Sequence, residues 1–229
     1  MKANWTSVND VAEGLALEAG LFAEAGQGVG LWQSTTPALV CPRTYRKRDG
    51  FQTAIQNSAD RGWPVHMRPS GGGTVPLGPG VLNMVMALTI PQSFGITNGY
   101  KMLCEPIIRL GERLGLVLEP GATPESFCDG DWNLSFEGRK IVGTAQRLRP
   151  LRQGRVRFLG HALILLDGDV TPGAEAVDAF HRDLGLDPIR SDVHMTLQDA
   201  MDGPLPALSE IVETVGKKAI ASIDRRFPN

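Results

Sequence analysis

The chain has 229 residues but only three cysteines, and it contains no Cys-x-x-Cys pair. A disulfide framework and a cysteine-based zinc site are therefore excluded, and reduced thiols favour a cytoplasmic location. The net charge is −2 and no run of five like charges occurs, which argues against a nucleic-acid binder. The longest nearly apolar stretch, Val81–Ile90, is too short to cross a bilayer, and no apolar signal segment follows Lys2. We therefore expect neither a nucleic-acid nor a membrane partner.

Glycine and proline are, in contrast, abundant, at 27 and 16 residues. Five of the glycines fall between Arg68 and Gly80, including the triplet Gly71, Gly72 and Gly73. Backbone without side chains can approach a ligand closely, and its N–H groups suit a phosphate or a carboxylate. The segment lacks the Gly-Lys-Ser/Thr of a P-loop and the spacing of a dinucleotide fingerprint. Arg68 is the candidate charge for an anionic ligand, and a plain surface turn is the alternative.

Hydrophobic periodicity predicts helices at both ends of the chain and strands in the middle. Ser7 and Asp10 resemble a capping box before a first helix over residues 8–25. The other predicted helices cover residues 51–61, 102–114, 174–184 and 207–222, and the strands cover 30–34, 38–41, 64–68, 81–88, 132–136, 140–146 and 155–166. The Glu137-Gly138 pair predicts a hairpin turn. This order indicates an α+β, or mixed α/β, fold in which central sheets are flanked by helices.

The strand after this turn carries Gly143, Thr144 and Ala145 where bulky side chains are usual. Small residues in a strand mark the close approach of a ligand or of another backbone. A lysine at a hairpin is usually solvated, but beside such a strand Lys140 becomes a candidate catalytic cation.

Several segments, taken in order, resemble the lipoate-protein ligases and octanoyltransferases of the biotin and lipoate protein ligase superfamily. They are Leu15-Ala-Leu-Glu18, Leu31-Trp32, Arg68-Pro-Ser-Gly-Gly-Gly73, Gly80-Val-Leu-Asn83, Trp132-Asn-Leu134, Gly138-Arg-Lys-Ile-Val-Gly-Thr-Ala-Gln146 and Gly160-His-Ala-Leu-Ile-Leu-Leu-Asp167. The resemblance implies the catalytic-domain fold of that superfamily, with central mixed, largely antiparallel sheets. It also implies a single domain over residues 1–229 without the C-terminal accessory domain of classical lipoate-protein ligases.

The resemblance further implies a reaction. A ligase of this family activates lipoate or octanoate with ATP and Mg²⁺ as an acyl-adenylate, and then acylates a lysine of a lipoyl carrier domain. The carrier is part of a 2-oxoacid dehydrogenase complex or is the glycine cleavage H protein. Lys140 matches the family lysine that touches the acyl carbonyl and the phosphate. The residues implied to bind substrate or nucleotide are Arg68, Ser70, Gly71, Gly72, Gly73, Thr74, Asn83, Gly143, Thr144, Ala145 and His161.

The segment after the glycine triplet departs from the ligase pattern. It reads Thr74-Val-Pro-Leu-Gly-Pro79, whereas many ligases carry His and Asp there to handle nucleotide and metal. Two further hypotheses therefore stand beside the ligase. In one, Cys128 is the acyl-thioester nucleophile of an octanoyltransferase or amidotransferase that needs no ATP and no other cofactor. In the other, the chain is a non-catalytic acyl-binding subunit that needs an accessory partner.

The remaining cysteines and two of the histidines are expected to have no part in the chemistry. Cys41 and Cys104 fall in a predicted strand and a predicted helix and are expected in the core. His181 and His194 are expected at the surface. No histidine pair has the spacing of zinc ligands, so no metal site is predicted.

Overall fold

The computed structural model describes residues 3–227, which form ten strands and five α-helices. The strands are Ala3–Val8 (β1), Gly28–Ser34 (β2), Ala38–Pro42 (β3), Val65–Arg68 (β4), Val75–Leu77 (β5), Val81–Pro91 (β6), Glu119–Gly121 (β7), Asn133–Phe136 (β8), Arg139–Pro150 (β9) and Arg155–Leu165 (β10). The helices are Val11–Ala23 (α1), Phe51–Asp60 (α2), Gly95–Arg113 (α3), Thr171–Asp183 (α4) and Leu208–Arg226 (α5).

Seven strands form the main sheet, in the order β1-β2-β6-β10-β9-β8-β7. Strands β1 and β2 pair in parallel, and all the other neighbours in this sheet pair antiparallel. Helices α3 and α5 cover one face, where they pack on Leu82, Met84 and Met86 of β6. Helix α1 covers the opposite face at Val85. Because both faces are covered, β6 reads as a nearly continuous apolar run rather than an alternating one.

A second sheet of three strands, in the order β4-β3-β5, forms a smaller layer. Its strands pack with α2 and α4 around Leu39, Phe51 and Phe180. Leu163 and Leu165 of β10 belong to the same apolar cluster, so this layer lies against the main sheet. The predicted mixed α/β fold with largely antiparallel sheets is confirmed.

The start of the chain differs from the prediction. Residues 3–8 form β1, and the first helix begins only at Val11. The capping box is shifted by three residues, because the Asp10 side chain accepts from Glu13 N (3.0 Å) and the Glu13 side chain accepts from Asn9 N (3.0 Å). Strand β1 lies at the edge of the sheet and is largely solvent-facing, so its sequence carries no apolar signal.

Helix α3 is longer than predicted and holds Pro106 in its interior. A proline cannot donate to the carbonyl four residues earlier, which here belongs to Met102. The Ser222 hydroxyl of α5 lies 3.3 Å from that Met102 carbonyl oxygen, but it is closer to the Glu105 carboxylate (2.8 Å), which is the better acceptor for its one proton. The Met102 carbonyl oxygen is therefore only weakly compensated for the hydrogen bond that the proline removes.

The expectation that His181 and His194 lie at the surface is wrong, since both are buried. The His181 ring Nδ1 bonds to the Asp187 carbonyl oxygen (2.9 Å), and His194 lies under the loop that carries Cys128. Cys41 and Cys104 lie in the core, as predicted. Within residues 3–227, no helix combines the length and the apolarity needed to cross a membrane.

Candidate active site

The centre of the candidate site is Cys128, in the loop of residues 122–132 that joins β7 to β8 and is called here the Cys128 loop. The residue is partly buried and has a φ of 49°, which is rare for a residue with a side chain. Its Sγ accepts a hydrogen bond from Gly73 N (3.1 Å), and Arg68 Nη2 lies 3.8 Å away. A backbone N–H and a guanidinium therefore both face the sulfur.

Two glycines of the triplet, Gly72 and Gly73, pack so closely against this loop that a side chain would not fit at either position without a shift of the loop. A Cβ on Gly72 would lie 2.7 Å from the Cys128 Sγ, and the φ of Gly72 is +95°. A Cβ on Gly73 would lie 3.1 Å from the Cys128 Cα. Side chains at these positions would separate the triplet from the cysteine and remove the Gly73 N–H from the sulfur.

Arg68 connects the triplet to the smaller sheet. Its side chain is buried, with Nη1 donating to the Val40 carbonyl oxygen (2.9 Å). Nη2 donates to the carbonyl oxygens of Gly71 (2.9 Å) and Gly73 (2.7 Å). Arg68 thus fixes the loop of residues 69–74, called here the glycine loop. It also places a positive charge beside the Cys128 sulfur.

Lys140 lies beneath the Cys128 loop and is fully buried. Its Nζ donates to the carbonyl oxygens of Phe127 and Cys128, the latter at 3.1 Å. With the Asn133 amide turned so that its oxygen faces the ammonium, that oxygen accepts a third bond at 3.2 Å. Gly143 leaves room for the lysine, because a Cβ there would lie 3.3 Å from the Lys140 Cε. Burial lowers the pKa of Lys140 to about 8. Two of the three donors of the ammonium are therefore directed at the loop that carries the cysteine, and the third is directed at Asn133 of β8.

His194 holds the same loop from another side. Its backbone is paired with Lys140 of β9, and its ring stacks on Phe127 with the centroids 4.0 Å apart. The ring Nε2 accepts from Phe127 N (3.1 Å), while Nδ1 lies 3.3 Å from the Ser191 carbonyl oxygen. These bonds require a neutral imidazole with its proton on Nδ1. Burial, followed by the nearby Lys140 charge, lowers the pKa of His194 to about 4.

We expect His194 to make the fold acid-sensitive. The unfolded chain takes up this proton below pH 6.5 and the folded chain only near pH 4, so stability falls as the pH drops through that interval. The free energy of unfolding should fall by about 3 kcal/mol over this interval. In urea unfolding at neutral pH and near pH 4, His194→Gln should show a weaker pH dependence than the wild type. His66→Gln serves as the control. A His194→Gln protein whose free energy of unfolding depends on pH as steeply as that of the wild type would contradict this role.

A pocket called here the first pocket is lined by Cys128 and mostly apolar side chains. Its lining residues are Leu15, Glu18, Val40, Arg68, Val75, Leu77, Asn83, Cys128, Gly143, Thr144, Ala145, His161, Ala162 and Leu163. An apolar cavity with a few fixed polar groups suits the hydrocarbon chain of a fatty acyl group.

The polar groups of the first pocket form a connected chain. Glu18 accepts from Trp32 Nε1 (3.1 Å) and bonds to His161 Nδ1 (3.0 Å). The other ring nitrogen of His161 bonds to the Ser70 hydroxyl (2.9 Å). The network joins α1, β10 and the glycine loop, so it fixes the position of the loop relative to the pocket.

A second pocket shares Cys128, Thr144 and Ala145 with the first. Its other lining residues are Gly71, Gly72, Ile96, Tyr100, Asp129, Gly130, Asp131, Trp132, Asn133 and Gln146. The rings of Tyr100 and Trp132 stack in parallel, with centroids 5.7 Å apart. Cys128 therefore borders both an apolar pocket and an acidic, aromatic one.

The second pocket lacks the cationic side chains that usually bind a nucleotide triphosphate. Of the residues within 3–227 that line it, none is Lys, Arg or His, although phosphates call for such groups. The Asp129 carboxylate is occupied by the backbone N–H groups of Thr123 (2.7 Å) and Gly130 (2.8 Å). In the same described range, no group of three or more His, Cys, Asp or Glu side chains could hold a metal ion.

The three thiols should differ in reactivity. Burial raises the pKa of Cys41 to about 11 and that of Cys104 to about 12, so both stay protonated and shielded. We expect iodoacetamide to modify Cys128 at least about tenfold faster in the native protein. Peptide mass mapping after brief labelling at neutral pH measures this order. Modification of Cys41 or Cys104 before Cys128 would contradict it.

The structure brings together most of the residues that the sequence singled out. Arg68, Asn83, Gly143, Thr144, Ala145 and His161 line the first pocket with Cys128, Gly71 and Gly72 line the second, Gly73 contacts the sulfur, and Ser70 contacts His161. Thr74 is buried and lines neither pocket, and Lys140 faces the Cys128 loop. Their roles in catalysis and binding stay predictions.

Three residues that contact the candidate site were not named as candidates by sequence reasoning: Glu18, Asn133 and His194. Glu18 had a detectable signal, because it is a charged residue on the stripe of α1 that also carries Val11 and Phe22. Asn133 lies in a segment that carries the family resemblance, whereas His194 had no signal, since it makes its contacts only in the folded chain.

The comparisons with known proteins agree with this geometry. The model of the lipoyl protein ligase A/B catalytic domain matches residues 10–215. The chain belongs to this family. The family includes protein ligases and acyltransferases, so the predicted relationship is confirmed and the chain is a member of a family of enzymes.

Curated relatives of this lipoyl ligase family member include transferases. An uncharacterised protein of Cupriavidus necator is 42% identical over 170 residues, covering 68% of this chain and 67% of the relative. An octanoyl-GcvH:protein N-octanoyltransferase of Kyrpidia tusciae is 33% identical over 142 residues, covering 59% of this chain and 49% of the relative. A Bacillus velezensis protein of the same name is 26% identical, covering 90% and 71%. The match thus spans about half the length of the Kyrpidia transferase.

Solved structures share the fold of this family member. A lipoate-protein ligase A bound with ATP has a TM-score of 0.70 at 14% identity, covering 98% of this chain and 84% of the other. A bi-partite lipoate protein ligase from Thermoplasma acidophilum has a TM-score of 0.67 at 15% identity, covering 98% and 82%. At these identities the likeness concerns the fold alone.

Proposed function

We propose that this chain is an acyltransferase that moves an octanoyl or lipoyl group between carrier lysines through a thioester on Cys128, without ATP. The observation that carries the proposal is the position of the Cys128 sulfur. It borders an apolar pocket and an open acidic pocket, and a backbone N–H and a guanidinium face it. A sulfur in such surroundings is suited to nucleophilic attack on an acyl carbonyl.

In the first step, the acyl chain of the donor lies in the first pocket and the sulfur attacks its amide carbonyl carbon. A C–S bond forms and the C–N bond to the donor lysine breaks, and the thiol proton ends on the departing amine. In the second step, the amine of the acceptor lysine attacks the thioester. A new amide forms, and Cys128 regains its proton.

The supporting groups keep the sulfur in place during both steps. The Gly73 N–H and Arg68 stabilise the sulfur when it carries negative charge. Lys140, through its bonds to the carbonyl oxygens of Phe127 and Cys128, fixes the loop rather than acting on a nucleotide. In this proposal Lys140 is a positioning residue, and single-domain organisation over residues 1–229 is part of the same proposal.

The relatives support the substrate class. Those from Kyrpidia tusciae and Bacillus velezensis are named octanoyl-GcvH:protein N-octanoyltransferases, and one from Listeria monocytogenes is named a lipoyl-GcvH:protein N-lipoyltransferase. We propose the same exchange here, between an acylated glycine cleavage H protein and a lipoyl domain of a 2-oxoacid dehydrogenase. Two lysine-bearing carriers as donor and acceptor fit a site that has one nucleophile and no phosphate-binding cations in its second pocket.

The dependence on ATP tests the proposal. Purified protein is mixed with octanoylated H protein and an apo lipoyl domain, and the mass of the lipoyl domain is followed with and without ATP and Mg²⁺. We expect octanoylation at equal rates in both conditions. A parallel mixture contains free octanoate and ATP in place of the donor. Acylation only in that mixture would establish the ligase, and acylation in neither would leave an acyl-binding subunit.

A further inference from the structure

The second pocket is an opening that reaches the reactive sulfur but is unsuited to an acyl chain. It shares Cys128, Thr144 and Ala145 with the first pocket, so a group inside it can reach a carbonyl bonded to the sulfur. Its remaining lining includes two carboxylates and two stacked aromatic rings. We propose that the second pocket is the channel for the acceptor lysine, with Asp131, Tyr100 and Trp132 binding the lysine side chain. This inference rests on the proposed transferase function.

The charge of the pocket selects the class of ligand. Asp129 is tied to backbone N–H groups by its Oδ1, whereas the exposed Asp131 makes no hydrogen bond or ion pair within residues 3–227. A carboxylate free for a ligand attracts a lysine ammonium and repels a phosphate. The same charge stabilises the positive nitrogen that forms as the neutral amine attacks the thioester.

The aromatic rings add a second reason for a lysine. Tyr100 and Trp132 stack with an interplanar angle of 2° and form a flat, partly exposed wall. Thr144 holds the Trp132 backbone by donating to its carbonyl oxygen (2.7 Å), so this wall is attached to the strand that borders the sulfur. Aromatic faces bind both the methylene stem and the ammonium of a lysine.

The acceptor lysine reacts through this channel by aminolysis of the thioester. The neutral lysine nitrogen attacks the thioester carbon, an N–C bond forms and the C–S bond breaks. Sulfur leaves with the bonding electron pair, and the excess proton on nitrogen passes through water in the open pocket to the Cys128 sulfur. Asp131 attracts the amine and stabilises its charge, but it forms no covalent bond.

The test separates loading of the enzyme from transfer to the acceptor. The full chain is octanoylated with the uncharged N-acetylcysteamine thioester of octanoate and freed of donor. Octanoyl-enzyme is then mixed either with an apo lipoyl domain or with hydroxylamine, which is uncharged at neutral pH. In Asp131→Asn we expect unchanged loading and unchanged hydroxylamine cleavage, with transfer to the lysine about three- to fivefold slower. Adding Tyr100→Leu should bring the loss to about tenfold or more.

Control variants keep the result specific. Asp131→Glu should retain most of the transfer rate, and Asp224→Asn, an exposed residue of α5, should behave as the wild type. Equal slowing of lysine and hydroxylamine in Asp131→Asn would overturn the channel, because it would indicate a distorted site. An unchanged lysine rate would overturn it as well. If the wild type forms no octanoyl-enzyme, the proposed function itself fails, and the channel with it.

Discussion

Replacing Cys128 with alanine is expected to abolish acyl transfer while the fold is retained. The substitution removes the sulfur that the proposal uses as the nucleophile of the enzyme, and losses of this kind are on the order of 10³-fold or more. The side chain is partly buried and accepts a single backbone hydrogen bond, from Gly73, so the change in the free energy of unfolding should stay below about 1 kcal/mol. The readout is octanoylation of a lipoyl domain from an octanoylated H protein.

Cys104→Ala is the matched control for this substitution. Cys104 is buried in α3 and lines neither pocket, so the variant should keep its transfer rate. A Cys128→Ala protein that transfers at the rate of Cys104→Ala would contradict the thioester mechanism. Activity of Cys128→Ala that appears only with ATP would instead support the ligase.

Lys140→Met is expected to lower the transfer rate by about 100-fold or more, with a smaller effect on stability. Without the ammonium, the carbonyl oxygens of Phe127 and Cys128 and the Asn133 side chain lose their donor, and the Cys128 loop is no longer fixed. Each unpaired buried acceptor costs about 1–3 kcal/mol. The substitution also removes the cost of burying the ammonium, which is about 3 kcal/mol for a pKa lowered from 10.5 to about 8. This gain offsets much of the loss.

The pH dependence of stability distinguishes this lysine from others. Between pH 8 and 10.5 the unfolded chain holds a proton that folded Lys140 has released, so its contribution to stability increases as the pH rises. The stability difference between wild type and Lys140→Met should therefore grow in favour of the wild type by about 3 kcal/mol over that interval. The exposed Lys218→Met serves as the control. Equal pH slopes for wild type and Lys140→Met, measured by urea unfolding, would contradict a buried ammonium.

The sequence predicted the members of the site better than their interactions. The glycine triplet was expected to approach a ligand, but Gly72 and Gly73 are packed against Cys128, which lies 55 residues further along the chain from Gly73. The contact of Lys140 with the acyl carbonyl stays a prediction, but the bonds of its Nζ to the Cys128 loop were not predicted. Contacts between such distant segments depend on how β8, β9 and the loop pack together. No local pattern encodes that packing.

Local sequence signals predicted a fully buried strand and a turn of characteristic sequence correctly, but they missed a strand at the edge of the sheet and a buried histidine. The strand β6 was predicted correctly from its apolar run. The turn at Glu137-Gly138 was also predicted correctly, and both of its residues have positive φ. Strand β1 was missed because it pairs with one neighbour and faces solvent. His194 was placed at the surface because a lone histidine in a polar segment has no periodic context, although its ring is stacked on Phe127 in the core.

Trapping the acyl-enzyme tests the central claim most directly. Wild-type protein is incubated with octanoylated H protein, without acceptor and without ATP, denatured in acid and examined by intact and peptide mass spectrometry. The account predicts one octanoyl group on the peptide that contains Cys128, removed by hydroxylamine and absent from Cys128→Ala. An unmodified Cys128 in a protein that acylates its acceptor only when octanoate and ATP are supplied would contradict it.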